Sequence, residues 1–364
     1  MELKSFIDYT FETFYKDFTT NKKPVIIFCT SYSYVSDTIR LLNFLKKDNI
    51  EIELIVQDND LIKFFKKYYH NSYKFLWNIK SRPYCYNKIY DLIGIIKEII
   101  HLKSLTNQIN FRCDTNVLFF SCDYVRREFY LYNFLKNNGN NFFNIRQGEL
   151  NLGIRTKSFI DGAKEKLFQF LYGSEISYIK SGFEKYTRIQ DSFFDDIKVY
   201  QMSDKSVIES FYTNSIEKLD ESIKVIYFDT PFFAIQSSDL KPNLFRMLNK
   251  YVGSINEIGI KLHPGRSNTN KTVLQYGIEV ESFIPAQIID YSSCKLAIGY
   301  GSTTLAKTIL DDLPAISLTY LQGLDEETVR REVRFLKLIN NDILLPKSFG
   351  EFESMVKQIL QPVF

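Results

Sequence analysis

The residues best suited to chemistry lie in two short stretches of the second half. "KLHPG" sets His263 at the end of an alternating apolar run, just before Pro264 and Gly265, in a chain with only three histidines. A strand stopped by Pro-Gly presents its last side chain at the sheet edge, where an imidazole can exchange a proton near neutral pH. A histidine that merely bonds a loop carbonyl is the alternative, and for His263 taken alone it is the stronger reading. About forty residues on, "LAIGYGSTTLAK" (296–307) runs from a strand through a glycine-bracketed turn into a helix whose first residues are Ser302, Thr303 and Thr304. Free N–H groups at a helix start, with hydroxyls beside them, suit a phosphate. Ser302 is equally a good N-cap, which leaves the Gly299 and Gly301 pair to explain; glycine there lets the backbone approach a ligand.

Weaker signals lie at other strand ends. "YFDTPFF" puts Asp229 and Thr230 where they would lie over a nucleotide or form a plain turn. "QDNDL" holds Asp58 and Asp60 in a D-x-D spacing that chance readily produces in a chain this rich in Asp. No G-x-x-x-x-G-K-[ST], G-x-G-x-x-G or H-E-x-x-H is present, so NTP hydrolysis, dinucleotide chemistry and zinc proteolysis lose support.

The elements that must position these residues alternate. "KPVIIFCTS" (23–31) is an apolar β-rich run, and "VSDTIRLLNFLKK" after it has Ile39, Leu42 and Leu45 on one helical face. "IEIELIVQ" (50–57), "NVLFFS" (116–121) and "NFFNIRQG" (141–148) read as strands, "DLIKFFKKYY" and 87–105 as helices. Near residue 205 the pattern restarts with strand "IKVIYF" (223–228), a helix with Pro242 in its first turn, and "INEIGIKLHP", where Ile258, Ile260 and Leu262 share one face and Lys261 and His263 the other. Strand "GIEV", short helix "PAQIIDYSS", strand "KLAIGYG", helix "STTLAKTILDD" and strand "PAISLTY" follow. Strands separated by helices predict parallel sheets covered on both faces. The expected fold is therefore α/β with two doubly wound, Rossmann-like domains facing a cleft: 1–205, 206–345, and a closing helix in 346–364 that packs back on the first domain.

Composition excludes several classes. At 364 residues and 45% hydrophobic content the chain can bury two substantial cores, and a formal charge of +3 demands no nucleic acid. Five cysteines without a C-x-x-C pair read as reduced thiols of a cytoplasmic protein, and the charged N-terminus lacks the apolar core of a signal peptide. "LIKFFKKYY" and "LLNFLKK" mix aromatics with lysine; they read first as solvated helix faces, with peripheral contact to an anionic inner-membrane surface as the alternative.

The order strand-His-Pro, Pro-Ala-x, strand-Gly-Ser-Thr-helix resembles the bacterial sialyltransferases and polysialyltransferases of the GT-B type, over roughly residues 223–320. That resemblance implies an inverting, metal-independent glycosyltransferase without a cofactor. It would move sialic acid or a related nonulosonic acid from its CMP donor to a sugar hydroxyl, of galactose-containing type, on a bacterial capsule, O-antigen or lipooligosaccharide. By the same resemblance, His263 matches the acid that supports the departing phosphate, with Pro264 beside it. Ser302 and Thr303, with Gly301, match the pair that holds that phosphate. "IPAQ" (284–287) is similar to the family's Pro-Ala-Glu stretch near the ribose, with Gln287 in place of the carboxylate. The family's base is an acidic pair before a glycine; here "NIRQGELNLG" carries Arg146 and Gln147 before Gly148, which leaves Glu149 as the candidate and Asp229 or Asp60 as substitutes. Arg146, Gln147 and Arg155 are candidate contacts to the donor carboxylate or acceptor, or ordinary surface charges. The alternatives are a transferase for CMP-Kdo or a diphosphate sugar, and a catalytically silent glycan- or nucleotide-binding protein.

Overall fold

The computed structural model describes residues 7–29, 32–56, 59–69, 100, 102–120, 126–147, 152–153, 176–177, 180–181, 188–189, 197–202, 215–229, 240–262, 271–300 and 303–361. The chain divides into two compact units, Met1–Val207 and Ile208–Phe364. In the first, the runs VIIFC and NVLFF are buried at every residue, as strands covered on both faces require. The elements of the main sheet and its helices are β1 (Ile7–Asp8), α1 (Phe11–Thr19), β2 (Val25–Cys29), α2 (Val35–Lys47), β3 (Ile52–Val56), α3 (Asn59–Tyr68), β4 (Asn116–Phe120), α4 (Arg126–Leu135), β5 (Asn141–Gln147) and β6 (Ile197–Met202). The sheet is parallel throughout, in the order β1-β6-β5-β4-β2-β3.

Helix α1 shows how the layers close. Thr10 caps it by accepting the Thr13 N–H at 3.2 Å, and Phe11, Phe14 and Phe18 share its buried face. Phe18 meets Phe143 edge-on at 5.0 Å and Phe14 meets Tyr200 at 5.2 Å. On the opposite face Tyr132 of α4 meets Phe142 at 4.8 Å, so consecutive residues of β5 serve different layers. Neither β1 nor β6 is marked in the sequence reading: β1 is only two residues long, and β6 lies in the segment read as the approach to a domain boundary.

The second unit contains β7 (Val225–Phe228), α5 (Leu240–Val252), β8 (Ile258–Lys261), β9 (Ile278–Val280), β10 (Leu296–Gly299), α6 (Thr303–Leu310), β11 (Ala315–Ser317), α7 (Glu326–Ile339) and α8 (Phe349–Leu360). Its sheet is parallel, in the order β9-β8-β7-β10-β11. Helices α5 and α8 cover one face through Leu244, Phe245, Leu248, Phe352 and Val356. Each such side chain contributes about 1.5–3 kcal/mol by leaving water. The α/β, doubly wound architecture expected from the alternation is present in both units.

The closing helix seats Phe352 and Val356 in the core of its own unit, and Tyr251 of α5 donates to Glu353 at 3.0 Å. One local expectation is corrected. "PAQIIDYSS" is not a helix beyond the 3₁₀ turn Ala286–Ile288; Ile289–Asp290 then pairs with Glu217–Lys218, and the Tyr291 hydroxyl ties the turn to the Ala286 carbonyl at 2.8 Å. Gly299 is closely packed: a Cβ there would lie 3.3 Å from Phe228 Cβ, tight enough to need a small shift, and in ordinary contact with Leu305 at 3.5 Å. Among the described residues, no helix is long and apolar enough to cross a membrane.

Two stability predictions follow from burial. At Gly277 an added Cβ would come within 2.4 Å of the Ile258 carbonyl oxygen, a backbone atom that cannot swing aside. Gly277→Ala is expected to cost about 1–3 kcal/mol and lower Tm by several degrees. Gly350→Ala, in a helix with nothing nearer than Ser348 Oγ at 4.0 Å, is expected to be neutral or slightly stabilising in the same calorimetric scan. Asp37, in the first turn of α2, is 3% exposed, and burial pushes its carboxyl up to about 7, against smaller pulls from the Tyr9 hydroxyl and Arg40. The folded state therefore holds a proton that the unfolded chain, titrating near 4, gives up. The resulting stability is full below about pH 4 and is lost as pH rises through about 7. Asp37→Asn is expected to be more stable than the parent by about 1–3 kcal/mol at pH 8 and to show a flatter profile from pH 4 to 8, read from urea midpoints. Parallel losses in both proteins would contradict this.

Candidate functional site

Parallel pairing fixes where the chemistry of the second unit can sit. β7 pairs with β8 through Phe228↔Lys261 and with β10 through Tyr227↔Ile298, so the three strands end side by side, about 4.8 Å apart. Asp229 leads to Thr230, Leu262 to His263, and Tyr300 to Gly301 and Ser302, all from this one edge. Numbered along the chain, the five strands lie third, second, first, fourth, fifth, and the winding reverses between β7 and β10. That reversal opens the crevice where open α/β sheets take their ligands. The Thr230 and Gly301-Ser302 stretches leave from its two sides, and the His263 stretch from the next strand along.

Thr303 opens α6. His263, Pro264, Thr230, Gly301, Ser302, Glu149 and Arg155 lie outside the described residues, as does Asp58. Arg146 and Gln147 end β5 at the carboxyl edge of the first sheet, with their side chains outside the described set. Gln287 sits half-buried in the turn after Pro285.

The substitute bases are already engaged. Asp229 is buried and accepts Lys241 Nζ at 2.6 Å; the Tyr227 hydroxyl lies 3.5 Å from the same carboxylate oxygen and 3.4 Å from the Tyr300 hydroxyl. Burial pushes the Tyr300 hydroxyl up to about 12 and Tyr227 further, so both remain protonated donors. Losing Lys241 would strand a buried charge, a cost of about 3–5 kcal/mol. Asp60 accepts Lys63 Nζ at 3.2 Å one turn along α3.

Several polar groups beside this edge are absent from the sequence reading. Lys261, expected on the face opposite the core, is 4% exposed and donates to the carbonyls of Glu281 and Ser282 at 3.2 and 3.0 Å. It pins the segment that leads into Pro285. The Leu318 N–H extends the ladder to the Gly299 carbonyl at 2.8 Å, so the turn after β11 stays against the glycine turn. There the Ser317 and Thr319 hydroxyls lie 2.8 Å apart and the buried Gln322 Oε1 has no hydrogen-bond partner. Buried Lys and Ser signal nothing in a sequence until the fold shows them inside.

No family model matches the chain, and no curated protein matches it in sequence. Among solved structures, a calicheamicin glycosyltransferase aligns over 93% of this chain and 90% of its own, with a TM-score of 0.48 and 9% identity. The glycotransferase of kitacinnamycin aligns over 93% and 91%, at 0.47 and 6%. A UDP-GlcNAc 2-epimerase from Methanocaldococcus jannaschii aligns over 93% of each chain, at 0.45 and 12%.

Proposed function

We propose that the protein is an inverting glycosyltransferase of GT-B type that takes a CMP-activated nonulosonic acid and passes the sugar to a glycan hydroxyl without a metal. The observation that carries this reading is the reversal of winding between β7 and β10, with β7 running out through Asp229 on one side and α6 opening at Thr303 on the other. Such an edge suits one phosphate held by backbone N–H groups and hydroxyls. Breaking the donor's glycosidic bond builds positive charge on the sugar and negative charge on the phosphate. His263 would meet the second of these by protonating or hydrogen-bonding the leaving phosphate, and Ser302 and Thr303 would share its oxygens. Pro264 and Gln287 would border the nucleoside, and Arg146, Gln147 and Arg155 the donor carboxylate or the acceptor. A monophosphate leaving group needs less countercharge than a diphosphate, which makes a metal dispensable. Peripheral attachment to the membrane carrying the acceptor belongs to the same proposal.

Incubation with CMP-sialic acid and a galactoside tests the reading. Transfer is expected in the wild type, to persist in EDTA, and to fall at least about 100-fold in His263→Ala. Binding of CMP with no turnover would favour a silent nucleotide-binding protein. In thermal shift, CMP is expected to stabilise more than UDP or GDP; UDP with a divalent metal doing better would overturn the donor.

A further inference from the structure

The winding of the first sheet reverses between β2 and β4, and its carboxyl edge there is where an open α/β sheet takes ligands. The opposite, amino edge has a character of its own. Four neighbouring strands start level with one another, through the pairs Val25↔Ile52, Val25↔Asn116 and Asn116↔Asn141. The turns that lead into them form one row: the Val25 N–H reaches the Glu51 carbonyl at 2.9 Å, the Asn116 N–H that of Pro24 at 3.0 Å, and the Asn141 N–H that of Thr115 at 3.0 Å. Helices α1, α2 and α4 end beside this row. Phe18 of α1 and Tyr132 of α4 pack on opposite faces of the sheet, and α2 lies against α1 through Phe11 and Phe44 at 5.0 Å. The edge is therefore a level face made of the sheet and both of its helix layers.

Cations collect on this face. Lys16, Lys22, Lys46, Lys47, Arg112 and Lys136 are exposed, and none has a carboxylate within ion-pair distance among the described residues. Lys23 is matched by Asp114 at 2.6 Å and Lys198 by Asp17 at 3.3 Å, so those pairs cancel. Asp48, which accepts the Tyr15 hydroxyl, and Glu51 are the acids left in these turns. The row thus holds more positive charge than the whole chain, whose formal balance is +3. Lysine in a last helical turn answers the helix dipole, which accounts for Lys16, Lys46 and Lys47 singly. Lys22 and Arg112 lie in loops, and Lys22 is kept at a φ of 48°, where glycine is the easier residue. In the second unit the lysines before the strands are consumed: Lys224 pairs with Glu257, and Lys218 with Glu221 at 2.6 Å.

The partner follows from the residue types. Phe44, in the last turn of α2, is 42% exposed and lies edge-on to Tyr15 at 5.3 Å, just ahead of Lys46 and Lys47. Point charges on long stems around an exposed aromatic match a headgroup layer, with phosphates in a plane and apolar depth beneath. Nucleic-acid readout favours arginine forks, and arginine is the minority here. We propose that the amino edge of the first sheet is a docking face for an anionic lipid bilayer, with the lysines on headgroup phosphates and Phe44 as the apolar anchor. It rests on the reading above only for the reason to meet a membrane, and the test separates the two. Attachment by this edge leaves the carboxyl edge of the same sheet clear of the bilayer.

The full chain is sedimented with vesicles of phosphatidylcholine, with and without about one-third phosphatidylglycerol. Binding is expected only where phosphatidylglycerol is present, and to fall at least about tenfold between low salt and about 0.5 M. Lys16→Gln, Lys22→Gln, Lys46→Gln and Lys47→Gln together are expected to lower the partition coefficient at least about 100-fold with unchanged melting. Lys295→Gln, Lys337→Gln, Lys347→Gln and Lys357→Gln, the same charge change on exposed lysines of the second unit, are expected to lower it less than about threefold. Phe44→Ala is expected to weaken binding several-fold at either salt concentration. Equal losses in the two quadruple variants would make net charge the cause and overturn the face. Tighter binding to a nucleic-acid duplex than to the anionic vesicles overturns it as well. Transfer to a soluble galactoside without vesicle binding overturns the docking face alone; vesicle binding without transfer removes the transferase reading and leaves the face standing.

Discussion

Parallel hydrogen bonding of β7 between β8 and β10 is the constraint on which the rest of the second unit depends. Because the strands run one way, their carboxyl ends coincide, and segments far apart in the chain leave from one edge. The ladder continues past the strands: the Asp229 N–H reaches the Lys261 carbonyl at 3.0 Å and the Leu318 N–H the Gly299 carbonyl. Each bond is worth about 1 kcal/mol net, but together they set the starting points of three loops to within a hydrogen bond's tolerance. Gly299 belongs to the same constraint, since Phe228 and Leu305 pack closely over the strand end there.

Buried charge is the second organising term, and it is settled differently at each place. Lys261 is dissolved in two carbonyls, Lys241 neutralises Asp229, Lys307 donates to both oxygens of Asp311 at 2.6 Å, and Glu53 collects backbone N–H groups. Lys261 and Lys241 fix a loop and a helix start against strand ends, Glu53 holds the Asn110–Phe111 backbone beside β3, and Lys307 spans one turn to Asp311 at the end of α6. Asp37 departs from the pattern because its remaining oxygen is matched by no donor among the described residues. Desolvation then favours its proton, and the folded state carries a proton-exchanging group in its interior.

The periodicity of the sequence carried most of the second unit. Ile258, Ile260 and Leu262 are buried together as their alternation requires, and LAIG, GIEV and the helices around Leu244 and Phe352 lie where their patterns put them. What failed was short or context-dependent. Two residues of β1 cannot show a period, and the apolar stripe of α8 says that a partner exists without saying which. Near the candidate site, the helix that opens at Thr303 was legible because helical spacing resumes after the apolar run LAIG. The burial of Asp37 was not: within "VSDTIRLLNFLKK" it occupies a polar position of an amphipathic helix, and only the fold shows that Tyr9, just ahead of α1, covers that side.

The two reversals of winding differ in what surrounds them. At the second, the described chain supplies a helix start, an ion-paired aspartate and two phenols that stay protonated, an environment of donors that favours added negative charge. At the first it supplies an acceptor: a carboxylate whose proton is balanced near neutral pH by burial on one side and Tyr9 and Arg40 on the other. Arg40, one turn along α2, acts on Asp37 through its charge while its guanidinium is engaged by Glu12 and stacked over Phe11.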